Sequence, residues 1–213
     1  MDKPYVIYGA KGGGSVPIEA ALTLLRLPYE VVEAIVWESE AERDKVGMVN
    51  PMRQIPALVL PSGEVLTESA AILMWLAEQH PEARLAPPVG DPQRAAYLRW
   101  MSFLPASIYS LYWIRDDPMR LAADEAAAEL IKARTAERIA ECWRIMDSQV
   151  SPGRYLLGDE LGVLDLYVTV MSRWTPRRER FAREAPKMTE VVGRVDADPR
   201  LQAFWAERFP FED

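Results

Sequence analysis

Asn50-Pro51-Met52-Arg53-Gln54-Ile55-Pro56-Ala57-Leu58-Val59-Leu60, followed closely by Leu66-Thr67-Glu68-Ser69-Ala70-Ala71-Ile72, is the stretch on which the fold turns. Pro56 follows a β-branched residue and precedes an apolar run. A proline has no N–H and would interrupt a central ladder, so it belongs at the entrance of a strand. An X–Pro bond is also the one peptide context in which cis costs only about 0.5–1 kcal/mol. A cis Ile55-Pro56 bond would turn the Ile55 backbone outward as a short unpaired edge, against which an extended, peptide-like ligand can pair.

Working outward, Pro61-Ser62-Gly63-Glu64 has the composition of a turn and joins the apolar run 57–60 to Val65-Leu66 as a hairpin. Glu68-Ser69 then opens a helix whose apolar residues Ala71, Ile72, Trp75 and Leu76 recur at helical spacing. The start of such a helix leaves backbone N–H groups free and carries positive partial charge, so it suits a ligand carboxylate, with the Ser69 hydroxyl as a further donor. Glu68 beside it suits an ammonium group. Taken alone, Ser69 reads as a helix cap; the ordered set Gln54, Ile55-Pro56 and Glu68-Ser69 favours a ligand site.

Upstream, Tyr5 to Tyr8 reads as a strand, 16–26 as a helix with Ile18, Ala21, Leu22 and Leu25 on one face, and 29–35 as a second strand. Strand, helix, strand implies a parallel pair with a crossover. Residues 39–46 read as a short polar helix, with Ser39 and Glu42 spaced as a capping box and Gly47 as the stop. Downstream, Pro87-Pro88-Val89-Gly90-Asp91-Pro92 and the unpatterned residues before it mark a linker. Beyond it, 92–114, 121–149, 163–174 and 185–206 carry helical spacing, punctuated by Pro118, Pro152-Gly153 and Pro176. No internal repeat or low-complexity segment is present. Asp165 lies three residues after Gly162, so its carboxylate can reach back to the Gly162 N–H as half of a capping box, with Leu161 and Leu166 as the staple.

The 213 residues, 49% of them hydrophobic, suffice for one large domain or two modest ones. A net charge of −7 argues against a nucleic-acid surface, which needs clustered Lys and Arg. The local run Arg173, Arg177, Arg178, Arg180 and Arg183 reads as a solvated helix face or loop. The single cysteine, Cys142, excludes an internal disulfide, a Cys-x-x-Cys centre and a thiolate zinc site, and its helical context reads as core. The single histidine, His80, flanks a helix end, and no metal site is expected. The N-terminus enters a strand at once without signal-peptide features, and no run of about 18 apolar residues occurs. The expectation is a cytoplasmic protein without a membrane span.

With these features in place, the chain resembles the cytosolic glutathione transferase family, of bacterial type, over essentially its whole length. The resemblance rests on Asn50-Pro51 with Gln54-Ile55-Pro56, on Leu66 to Ile72, on the proline-rich linker and on Gly158-Asp159 with Val163-Leu164-Asp165. The family pattern usually has Gly where Arg53 stands and Ser or Thr where Gly162 stands; Arg53 is then expected at the mouth of the ligand groove. The resemblance implies an α/β thioredoxin-like N-terminal domain at 1–81, of order βαβ, α, ββα with a mixed four-stranded sheet. A linker at 82–91 and an all-α helical bundle at 92–213 follow. It implies a homodimer, with glutathione as cosubstrate and no metal. Ile55 would pair its backbone with the cysteinyl part of glutathione, Glu68 and Ser69 would receive the γ-glutamyl end, and Gln54 and Pro56 complete that wall. The second substrate, a small hydrophobic electrophile, would meet Met101, Leu104, Ile108, Tyr109 and Tyr112, for which core packing is the alternative.

Glutathione transfer needs the thiol as a thiolate, which a donated hydrogen bond and the positive end of a helix both favour. The family keeps a Tyr, Ser or Cys for this at the end of the first strand or in the following loop. That loop reads Tyr8-Gly9-Ala10-Lys11-Gly12-Gly13-Gly14-Ser15-Val16-Pro17, and the usual Ser or Cys positions fall on Gly12 to Gly14. Three candidates remain open: Ser15, Tyr8, and the backbone N–H groups of Gly12 to Ser15 acting as an anion nest. The leading expectation is an enzyme that activates glutathione; the other is a non-catalytic glutathione or hydrophobic-ligand binding or interaction protein of the same fold. A maleylacetoacetate-type isomerase would be expected to carry a serine-cysteine pair in this loop, which the chain lacks.

Overall fold

The structure, a computed structural model, describes residues 3–174 and 177–210. Strand β1 (Tyr5–Gly9) leads through helix α1 (Val16–Leu24) to β2 (Tyr29–Glu33), which pairs with β1 in parallel. Helix α2 (Glu40–Gly47) follows, its start capped by the Ser39 hydroxyl accepting from the Glu42 N–H. The Glu42 carboxylate does not return to Ser39 but accepts from the Ile35 N–H at 3.1 Å, so the capping box is half made and also ties α2 to the loop after β2. Strands β3 (Ala57–Val59) and β4 (Val65–Thr67) form the hairpin, and α3 (Ser69–Gln79) closes the unit. The sheet order is β2-β1-β3-β4, with β3 antiparallel to β1 and β4 antiparallel to β3. This is a mixed four-stranded thioredoxin-like sheet.

All further regular elements among the described residues are helical: α4 (Arg94–Leu104), a π-helical turn (Pro105–Tyr109), α5 (Ser110–Asp116), α6 (Glu125–Gln149), α7 (Val163–Ser172), α8 (Arg177–Glu184), α9 (Pro186–Asp196) and α10 (Gln202–Arg208). Every described residue of α7 is buried, so it forms the axis of the bundle. One apolar core runs from Ile7, Leu22, Leu58 and Leu73 under the sheet through Tyr97 and Met101 to Tyr167, Val170 and Val192. The helical part therefore packs directly onto the sheet-bearing part, and α1 and α3 lie between them.

Three sequence expectations change. Residues 92–114 are not one regular helix, because Pro105 has no N–H to give the preceding turn and the chain widens into the π turn there. Residues 185–206 divide where Asp198 accepts from the Arg200 N–H at 2.9 Å, an Asx turn at Asp198-Pro199. The arginine run is a solvated face only in part: Arg183 is exposed, whereas Arg173 and Arg178 converge on Asp196, each at 2.5 Å, and Arg180 pairs with Glu137 at 2.8 Å. Pro176 lies outside the described residues, as does the Arg177 side chain. Cys142 is fully buried, and burial pushes its thiol up from the ordinary range. Among the described residues no helix is long and apolar enough to cross a membrane, and no group of three or more His, Cys, Asp or Glu is placed to hold a metal ion.

Candidate active site

A cleft of about 1550 Å³ opens between the sheet-bearing part and the helices. Single-ligand pockets usually measure roughly 300–1,000 Å³, so it has room for two molecules side by side. One wall consists of the glycine-rich loop, Trp37, Gln54-Ile55-Pro56 and Glu68-Ser69; the other presents Tyr109, Tyr112, Trp113, Trp174 and Phe209.

Local sequence explains the first wall. Asn50 donates through Nδ2 to the Gln54 carbonyl at 2.8 Å and accepts from the Met52 N–H at 3.0 Å, which curls the chain just before Ile55. The Ile55-Pro56 peptide is cis. The strand begins only at Ala57, and neither the N–H nor the carbonyl of Ile55 has a hydrogen-bond partner among the described residues. A main-chain edge one residue long thus faces the cleft. Glu68 has φ +65°, uncommon for a residue with a side chain, is exposed, and has no ion-pair partner among the described residues. Ser69 begins α3 but does not cap it: its hydroxyl meets the Tyr167 hydroxyl of α7 at 2.6 Å, a buried pair spanning both parts of the molecule. Arg53 lines the mouth and bridges Glu40 and Asp44 at 2.5 and 2.7 Å.

The glycine-rich loop is anchored from the helical side. The Gly12 N–H donates to the Arg208 carbonyl at 2.9 Å, its carbonyl accepts from Trp174 Nε1 at 2.8 Å, and the Phe209 ring stands 3.3 Å from where a Gly12 Cβ would lie. The Gly13 N–H is committed to the Ala10 carbonyl at 2.9 Å. Among the described residues, the N–H groups of Gly14 and Ser15 have no acceptor.

Ser15 is fully buried and does not line the cleft. Its hydroxyl donates to Glu19 Oε1 at 2.6 Å and accepts from the Ala10 N–H at 3.2 Å, so it braces the loop from behind. Glu19 is in turn bound by Arg208 of α10 at 2.5 Å, and Arg208 also pairs with Glu33. Tyr8 lies within the sheet, opposite Val32 and Ala57, and is likewise absent from the cleft walls. Met101 and Leu104 of α4 and Ile108 of the π turn are fully buried in the core, whereas Tyr109 and Tyr112 reach the cleft. Sequence reasoning missed Trp37, Tyr167, Trp174 and Phe209, which come to the site from distant elements and carry no local motif.

Residues 15–79 match the family model "Glutathione S-transferase, N-terminal domain", and residues 118–208 match "Glutathione S-transferase, C-terminal domain". An uncharacterized GST-like protein of Escherichia coli (strain K12), YncG, is 33% identical, over 92% of this chain and 94% of that one. A probable maleylacetoacetate isomerase of Caenorhabditis elegans is 31% identical over 71% of this chain and 69% of its own. Among solved structures, a glutathione transferase homologue from Sulfitobacter with bound glutathione superposes with a TM-score of 0.83, covering 96% of this chain and 97% of that one at 26% identity. Both domain models, the full-length relative and the cleft between sheet and helices agree, and the chain belongs to the glutathione S-transferase family.

Proposed function

We propose that this protein binds glutathione along Gln54-Ile55-Pro56 and Glu68-Ser69 and activates its thiol for attack on a small, largely apolar electrophile in the same cleft. The observation that carries this reading is the unpaired Ile55 main chain, facing the cleft beside the free carboxylate of Glu68 and the start of α3. An extended tripeptide fits that edge: its cysteinyl main chain pairs with Ile55, its γ-glutamyl carboxylate meets the N-terminus of α3, and its ammonium meets Glu68. Among the cations that line the cleft, Lys11 is the one without an ion pair among the described residues, and it stands in the glycine-rich loop where it can meet an anionic part of the ligand. In the reaction the thiol proton leaves to solvent, the sulfur lone pair forms the S–C bond, and a displaced group departs with the bonding pair.

The aromatic wall of Tyr112, Trp113 and Trp174 supports an apolar second substrate. We assign the boundaries 1–81, 82–91 and 92–213 to the two domains and their linker, a cytoplasmic location, and a homodimer readable by sedimentation velocity. The alternative, a glutathione or hydrophobic-ligand binding protein without catalysis, draws support from the burial of Ser15 and the absence of Tyr8 from the cleft. Conjugation of glutathione to a nitroaryl chloride separates the two: turnover above the uncatalysed rate supports the enzyme, and binding without turnover supports the alternative.

Glu68→Ala and Ser69→Ala are each expected to weaken glutathione binding by about 1–3 kcal/mol, the cost of losing a buried or charge-assisted hydrogen bond. Ser69→Ala is also expected to lower folding stability by about 1 kcal/mol, because it strands the Tyr167 hydroxyl. Unchanged affinity in both variants would remove this pair from the binding site.

A further inference from the structure

The loop between β1 and α1 brings no side-chain hydroxyl into the cleft, yet a hydroxyl stands where one of its side chains would be. A Cβ built on Gly14 would fall 1.8 Å from Tyr109 Oη and 2.8 Å from Tyr109 Cζ. Residue 14 and Tyr109 therefore compete for one volume, and glycine leaves it to the tyrosine. The geometry points to Tyr109, delivered from the helical domain, as the donor that hydrogen-bonds the glutathione thiolate; this assignment rests on the glutathione-activating reading above.

Independent contacts set the sulfur's neighbourhood. Ile55 Cδ1 lies 3.3 Å from where a Gly13 Cβ would be, so the Ile55 side chain packs against the glycine loop, and Ile55, Gly13 and Gly14 line the same cleft. A cysteinyl residue paired with the Ile55 main chain would bring its thiol toward Gly14, whose N–H has no acceptor among the described residues and whose side-chain volume the Tyr109 hydroxyl fills. The Tyr109 hydroxyl has no hydrogen-bond partner among the described residues and lines the cleft.

The ring is held in place. It packs on Trp174 with centroids 4.8 Å apart, and Trp174 is pinned by its bond to the Gly12 carbonyl. Tyr109 is the last residue of the π turn, and such turns recur at functional sites because they re-aim side chains. Burial, with the carboxylates of Asp116 and Glu68 adding to it, holds the phenol well above its usual range. It therefore stays protonated at neutral pH and acts as a donor, not a base. The thiol proton goes to solvent and Tyr109 keeps its own.

Tyr109→Phe keeps the ring and removes only the oxygen. We expect the thiolate absorbance of bound glutathione to shift by about one pH unit or more to higher pH, and kcat for conjugation to fall about 100-fold, as for loss of one preorganised donor to a developing anion. Glutathione affinity at neutral pH should fall by up to about tenfold per pH unit of that shift, because a less favoured bound thiolate also binds less tightly, whereas affinity at low pH, where the thiol stays protonated, should change little. Tyr109→Ala combined with Gly14→Ser moves a hydroxyl onto the loop in the vacated volume and should recover at least about tenfold in kcat over Tyr109→Ala alone. A wild-type protein that forms the thiolate and a Tyr109→Phe protein that forms it equally well, with equal kcat, would overturn the assignment alone. A wild-type protein that binds no glutathione would contradict the underlying reading as well.

Discussion

Arg208→Ala is expected to destabilise the protein by about 3–5 kcal/mol, the usual consequence of leaving a buried charge without its partner. Glu19 is fully buried on α1, and its carboxylate is satisfied by Arg208 Nε at 2.5 Å and by the Ser15 hydroxyl at 2.6 Å. Removing the guanidinium strands that carboxylate and also frees Glu33 on β2. The arginine joins elements from the two ends of the chain, so the loss spreads to the loop whose Gly12 N–H rests on the Arg208 carbonyl. Urea unfolding with an unchanged m-value reads the effect. Replacing both partners, as in Glu19→Gln with Arg208→Met, should recover much of the loss, because no unpaired charge is then buried. A single variant that loses under about 1 kcal/mol would contradict this account of the cluster.

Asp165→Ala is expected to cost about 2–4 kcal/mol. The Asp165 carboxylate accepts from the Gly162 N–H and the Leu156 N–H, both at 2.8 Å, within the packed start of α7. Without it, two buried donors are orphaned, each worth about 1–3 kcal/mol. Burial pushes this carboxyl up to about 7, with the two N–H donors pulling the other way. Because the folded value lies above the unfolded one, the folded state holds the extra proton between them. This group's stabilisation is complete below about pH 4, the ordinary carboxylate range, and is lost as pH rises through about 7, at up to about 1.4 kcal/mol per pH unit. Asp165→Asn should abolish that slope. A stability difference between wild type and Asp165→Asn that stays constant from pH 4 to pH 7 would contradict the assignment.

Much of the architecture was legible because local signals agreed. Alternating and helical patterns marked the strands and helices before residue 80, and Gly162 with Asp165 marked the entry to α7. The misses have physical causes. The helical period of 185–206 runs straight through Asp198-Pro199 and masks the break there, although an Asx residue before proline is itself a turn signal. Met101, Leu104 and Ile108 repeat at three and four residues, the spacing of a core stripe, and the structure buries all three. Ser15 has a partner four residues on, but the arginine that makes that pair a buried network lies 189 positions from Glu19. No local pattern reports such a contact. Likewise, nothing in the sequence tells Gly14 that Tyr109 fills its side-chain volume; only the tertiary packing of the π turn against the loop makes that visible.

The most direct test of the central claim is a calorimetric titration with glutathione at neutral pH in two buffers of different ionisation heat. It reports affinity and protons released together. The account predicts binding with close to one proton released per molecule bound, the signature of thiol converted to thiolate in the cleft. Binding with no proton released, or no binding at all, would contradict it.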